Sequence, residues 1–315
     1  MLLIAIILSV AVGLATAAQS PTNAALGQIV GPVQASFVSF TGGLVVCGLL
    51  CALAGTGDIS QAFQVEPWKL LGGVYGAFIV FSQALCAPRL GVALTLTLFM
   101  LGQLMGGMVV DTLGLFEVAR VPLSPLRVAG AGLALAGIAF VYVSRIRYSG
   151  AAKGTSDQGE RQAHRTLIAA VLCFAGGVVS AVQTPTNAAL GLLTGTMEAS
   201  VVSFAGGWLS LLAVLLILHV TGAHPLASFK GIAPWKFTGG LYGAFGVPAL
   251  IVATPVLGVG LSLAGLMFGQ LVGGMVVDAT GMFGVLRMRT DRLRIIGAIL
   301  LLLGIALVTA AKIGL

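Results

Sequence analysis

Charge is what this chain has least of. Its 315 residues hold 16 Lys and Arg and 9 Asp and Glu, 8% charged in all, whereas a soluble domain carries about 25%. That supply cannot build a water-facing surface, so a soluble domain is excluded. Acidic residues are scarcer than basic ones, giving a formal net charge of +7. In a soluble protein this balance would suggest nucleic acid; here the basic residues stand in short loops and at the ends of apolar runs, where they report membrane orientation. No nucleic-acid partner is expected.

Reactive groups are also few. His164, His219 and His224 fall at loops or run ends, and no HExxH, GxSxG or P-loop pattern occurs. The four cysteines, Cys47, Cys51, Cys86 and Cys173, lie inside apolar segments without CxxC or Cys/His spacing, and read as small buried hydrophobes. The chain is therefore expected to be no enzyme and to hold neither metal nor cofactor.

What the chain has is apolar length: 58% of residues are hydrophobic and mean hydropathy is +1.09. Its 45 glycines fit helices that approach closely through small residues. Ten runs are long enough to cross about 30 Å of hydrocarbon, at roughly 2–29, 33–55, 68–87, 90–110, 126–146, 166–193, 199–220, 235–253, 258–278 and 293–313. The opening MLLIAIILSVAVGLATAA imitates a secretory signal. No basic residue precedes it, however, and its pattern recurs at 167–182, so it is read as part of the first span.

The ten runs form two sets of five around SGAAKGTSDQGERQAH (149–164), which reads as a cytoplasmic linker. The second set repeats the first. QSPTNAAL (19–26) meets QTPTNAAL (183–190), SFTGG (39–43) meets SFAGG (203–207), PWKLLGGVYGAF (67–78) meets PWKFTGGLYGAF (234–245), and GQLMGGMVVD (102–111) meets GQLVGGMVVD (269–278). Because each set has an odd number of spans, the two enter the membrane in opposite senses. The expected fold is an all-α membrane protein: ten transmembrane helices in two inverted-topology five-helix repeats, residues 1–148 and 165–315, as in many secondary transporters. Taking loops alternately, one side holds Lys69, Arg120, Arg127 and Lys312, and the other holds the rest, including Arg145, Arg147, Arg161, Arg165, Arg287, Arg289, Arg292 and Arg294. The positive-inside rule then places both termini outside the cytoplasm.

Gln19 and Asn23 share a helix face, as do Gln183 and Asn187. Pro21 and Pro185 each remove a donor and crowd the carbonyls of Ala17 and Ala181, so helix breaks are expected there. A break at Pro21 would put the two motifs in separate gates. An unbroken first helix of about 43 Å would instead place Gln19 near the membrane midplane, where polar groups mark a substrate site or tie helices together. Gln103 and Gln270 in the fourth and ninth runs are open to the same two readings. Tyr75 and Tyr242 follow paired glycines and could face a cavity, while Ser82 and Gln83 have no polar match in the second half. Asp111 and Asp278 close helices whose dipole they oppose; each reads as a proton-coupling group, a solvated charge or the partner of an arginine. Trp68 and Trp235 read as interfacial anchors beside snorkelling Lys69 and Lys236, and Glu198 as a residue of the outer surface.

These motifs, together with PRLGVAL (88–94) and GQLMGGMVVDTLGLF, resemble the YdcZ-type family of the drug/metabolite transporter superfamily, twice over nearly the whole chain. The resemblance implies five-span halves that pair antiparallel, here fused, in a bacterial inner (cytoplasmic) membrane. It implies a small-molecule substrate, exported by alternating access, and a complete transporter in one chain, with a homodimer left open. The related small multidrug resistance proteins carry a glutamate in the first span where this chain has Gln19 and Gln183, so coupling would fall to Asp111 or Asp278. The alternative is a non-transporting membrane scaffold or accessory subunit.

Overall fold

Glycine, not proline, divides this chain. A computed structural model describes residues 1–118, 120–149, 156–222, 227–285, 287 and 291–313, and no strand occurs among them. The helices are α1 (Leu2–Val30), α2 (Pro32–Ala54), α3 (Gly72–Leu90), α4 (Val92–Leu113), α5 (Pro125–Ser149), α6 (Ser156–Thr194), α7 (Thr196–Val220), α8 (Gly239–Thr280) and α9 (Arg292–Ile313). Among the described residues, seven segments are long and apolar enough to cross a membrane; the apolar part of α5, Pro125–Val141, is shorter. One of the seven, Pro234–Thr280, has 47 residues and would span about 70 Å if straight, twice a bilayer. It bends at Gly258. Outward-facing Leu49, Leu53, Leu192, Leu216 and Ile217 are exposed, as hydrocarbon surroundings allow.

The points where the chain turns recur between the halves. Gly31 and Gly195 (φ 85 and 103) follow α1 and α6, Gly91 and Gly258 (φ 73 and 72) divide α3 from α4 and α8 into two arms, and Gly114 and Gly281 (φ 67 and 72) end α4 and α8. Positive φ is open to glycine without steric cost. Neither Pro21 nor Pro185 breaks its helix; both lie inside continuous helices, α1 and α6, which corrects the expectation above. A proline costs about 3 kcal/mol in a helix interior, but opening the helix in hydrocarbon would orphan several further backbone groups.

Each half lends its first helix to the other. α1 lies along α8, α6 lies along α3 and α4, α2 meets α7, and α5 meets α9. A methyl on Gly13 would stand 2.7 Å from the Gln270 nitrogen and the Gly269 Cα; one on Gly177 would stand 2.9 Å from the Gln103 nitrogen and the Gly102 Cα. Gly13 and Gly177 thus occupy corresponding crossings that only a bare backbone permits. Phe40 and Phe204, from the matched SFTGG and SFAGG, meet across the halves with centroids 5.4 Å apart and ring planes tilted by 58°.

Three other expectations change. Glu198 is buried, not at the outer surface. It folds back from the start of α7 and accepts the Gly57 N–H at 2.8 Å, satisfying a loop donor far from it in sequence. Its counterpart Gln34 does the same to Ala227, donating to the carbonyl at 2.9 Å and accepting the N–H at 3.0 Å. Lys69 does not snorkel; its buried ammonium bridges Glu66 at 2.9 Å and Glu117 at 3.0 Å. Of the linker 149–164, residues 156–164 begin α6, while 150–155, like Arg289 and His224, lie outside the described residues.

Candidate functional site

α1 runs unbroken through Pro21, so Gln19 lies well inside the bundle instead of at its end. The consequence is a central cavity of about 110 Å³ where helices of both halves meet. Gln19 and Gln183 both line it, together with Gln103, Gln270, Asn187 and Tyr242. Asn23 and Tyr75 do not. Asn23 is buried against Gly239, where a methyl would stand 2.8 Å from its Cγ.

The sequence reading missed several lining residues. Thr16 and Ser180 sit one turn before the glutamines on α1 and α6, Ser39 with Phe40 and Ser203 with Phe204 come from α2 and α7, and Phe99 comes from α4. Their signal was the repetition of SFTGG and SFAGG, which marked a repeat but not a wall. Gln83 also lines the cavity; in the second half its place relative to the PWK motif is taken by Leu250. No lining residue carries a formal charge.

Some of the amides are committed to the protein. Gln183 Nε2 donates to the Gly72 carbonyl at 2.8 Å, and Gln103 Nε2 donates to Ser180 Oγ at 2.9 Å. Others have no partner: Gln83 Nε2, Gln103 Oε1, Gln270 Oε1 and Asn187 Oδ1 are buried without a hydrogen bond. Buried polar groups are nearly always satisfied. Gln83, Gln103 and Gln270 thus bring unmade bonds to the edge of the cavity, while the Asn187 oxygen is seated against Gly72.

Asp111 and Asp278 are held by arginines sixteen residues further on. Arg127 Nη2 reaches Asp111 Oδ2 at 3.0 Å, and Arg294 reaches Asp278 in the same way, with all four side chains buried. The arginine-partner reading thus describes both aspartates. Gln103 also lines a small cavity of about 30 Å³ that touches Asp111 and Arg127, and Gln270 lines one of about 10 Å³ that touches Arg294. Gln103 and Gln270 each stand between the central space and a buried ion pair.

A bundle of helices long enough to cross a bilayer, closed around a hollow without lining charge, defines the class: an integral membrane protein. Sequence comparison supplies the family. Residues 4–140 and 168–307 each match the family model described as "Putative inner membrane exporter, YdcZ", so this chain belongs to the YdcZ family of drug/metabolite transporters, with the family unit present twice. No curated protein sequence matches it. A crystal structure of a protein 16% identical in sequence shares the fold, with a TM-score of 0.56 over 99% of this chain and 96% of that one.

Proposed function

We propose that the chain is a ten-span secondary transporter, made of inverted repeats 1–148 and 165–315, that exports a small uncharged polar solute by alternating access. The observation that carries this is the central cavity, which gathers Gln19 with Gln183 and Gln103 with Gln270 from corresponding places in the two halves. Two related halves around one site can exchange their conformations, and the site then opens first to one side and then to the other. Both termini lie on the periplasmic side in this reading, as the basic residues direct. The absence of lining charge argues for an uncharged solute, because a bare ion would enter without a counter-charge.

Asp111 and Asp278 are the proposed proton carriers, acting through release of Arg127 and Arg294. Asp278→Asn in proteoliposomes should abolish transport driven by a pH gradient and leave substrate exchange intact. Equal loss of both would assign the pair to structure alone.

The test of the site uses its two asparagines. Asn187 lines the cavity and Asn23 does not, so Asn187→Ala should lower transport about tenfold or more, the loss of one buried hydrogen bond to solute. Asn23→Ala should lower thermal stability while leaving transport per folded protein near normal. A scaffold would show no solute flux in either, and cysteines placed at 19 and 183 would stay unreactive toward small water-soluble thiol reagents.

A further inference from the structure

The cavity is not evenly polar. On the side built by α3 and α4 it is lined by Gln83 and Gln103, each with an orphan atom: one donor, Nε2 of Gln83, and one acceptor, Oε1 of Gln103. On the side built by α1 and α8 the apolar Leu250, Ile251 and Leu266 stand beside Gln19 and Gln270. Pseudo-symmetry does not explain this, because Gln83 and Leu250 occupy matched places in the two halves. Rings from Phe40, Phe99, Phe204 and Tyr242 complete the wall. At about 10–15 Å³ for each water-sized position, the space holds roughly seven to eleven non-hydrogen atoms.

We infer that the cavity binds a small uncharged ring amide, with its carboxamide or lactam edge on Gln83 and Gln103 and its ring against Leu250, Leu266 and the aromatic side chains. This rests on the reading of the cavity as the substrate site. An amide edge offers an N–H to the Gln103 oxygen and a carbonyl to Gln83 Nε2, so it supplies in one plane both kinds of partner that the two orphan atoms lack. Unmade bonds at buried amides are costly, and a ligand that makes them recovers that cost on binding. A carboxylate or ammonium of the same size brings a charge into a wall that has none to answer it.

Benzamide, benzoate and benzylamine are near-isosteric probes of this assignment. With the full chain in detergent, benzamide should raise the melting temperature in a saturable way, while benzoate and benzylamine should not. Gln83→Glu should weaken benzamide binding roughly tenfold and should admit benzylamine, whose cation the new carboxylate can meet. A merely structural glutamine would give no such exchange of preference. Gln83→Leu, which copies the second half, should also weaken benzamide binding roughly tenfold and serves where the glutamate variant does not fold. Equal binding of benzoate and benzamide to the unaltered chain, or unchanged benzamide affinity in the Gln83 variants, overturns the inference. Benzamide binding with no flux in proteoliposomes would uphold it and remove the transport reading. Flux of another solute that saturating benzamide does not inhibit would keep transport and overturn the ring amide.

Discussion

The first half closes its lip with charge and the second half without it. Before α3, Lys69 bridges Glu66 and Glu117. Before α8, the matched places hold Ala233, Lys236 and Gly284, and Lys236 lies over the Trp235 ring at 5.5 Å, as Lys69 lies over Trp68 at 5.2 Å. Elsewhere the halves agree. Arg120 Nε donates to the Thr112 carbonyl at 3.0 Å and Arg287 Nε to that of Ala279 at 2.9 Å, and both aspartate–arginine pairs form. The ion pairs and most of the cavity wall are therefore duplicated, while the lip and the Gln83/Leu250 part of the wall have diverged. A single-chain transporter is free to do this, whereas two identical subunits are not.

The largest effects should come from the duplicated crossings. Gly13 seats α1 on α8, and Gly177 seats α6 on α4, each with backbone directly against backbone. Leucine at either position would force the helices apart, a change worth about 3 kcal/mol or more. Size-exclusion profiles of Gly13→Leu and Gly177→Leu should both show loss of monodisperse protein. If one variant stays folded, the two crossings are not equivalent and the halves are less alike than their contacts suggest.

The ion pairs come next. Removing one partner of a buried pair leaves an uncompensated charge and costs about 3–5 kcal/mol. Asp111→Ala and Asp278→Ala should lower the melting temperature by similar amounts, and adding Arg127→Ala to the first, or Arg294→Ala to the second, should restore part of the loss. Additive losses in the double variants would show that the arginines have other anchors.

Much of this comparison could be read from the sequence, because two copies of a motif report each other. Gln19, Gln183, Gln103 and Gln270 stood out by repetition in apolar runs, and all four line the cavity. The helix boundaries were harder. Pro21 looked like the break, but a missing donor is tolerated inside a helix, and the real turns sit at glycines such as Gly91 and Gly258, whose positive φ leaves no mark beyond the residue itself. Asn23 and Asn187 lie in nearly identical octapeptides. Both pack against matched glycines, Asn23 on Gly239 and Asn187 on Gly72, and only Asn187 also lines the cavity. Burial of Glu198 was illegible for another reason: its partner Gly57 is 141 residues away.

The smallest effect is expected at the lip, and it bears most directly on the difference between the halves. Glu117 is held at φ 61, in the left-handed region, where its counterpart Gly284 sits at φ 74. For a residue with a Cβ that conformation costs about 1 kcal/mol or more. The bridge from Glu117 to Lys69 offsets little of it, since the Glu117 side chain is 60% exposed and exposed pairs are worth about 0–1 kcal/mol. Glu117→Gly relieves the backbone and loses the bridge, while Lys69 keeps Glu66. The two changes nearly cancel, to within about 0.5 kcal/mol, or a melting shift under about 2 °C. The reverse change, Gly284→Glu, brings the same strain to a lip whose lysine already lies over Trp235, and should cost about 1 kcal/mol. A fall above about 5 °C in Glu117→Gly would make the charged lip a structural clamp of the first half, and the divergence between the halves would then reach their stability as well as their surfaces.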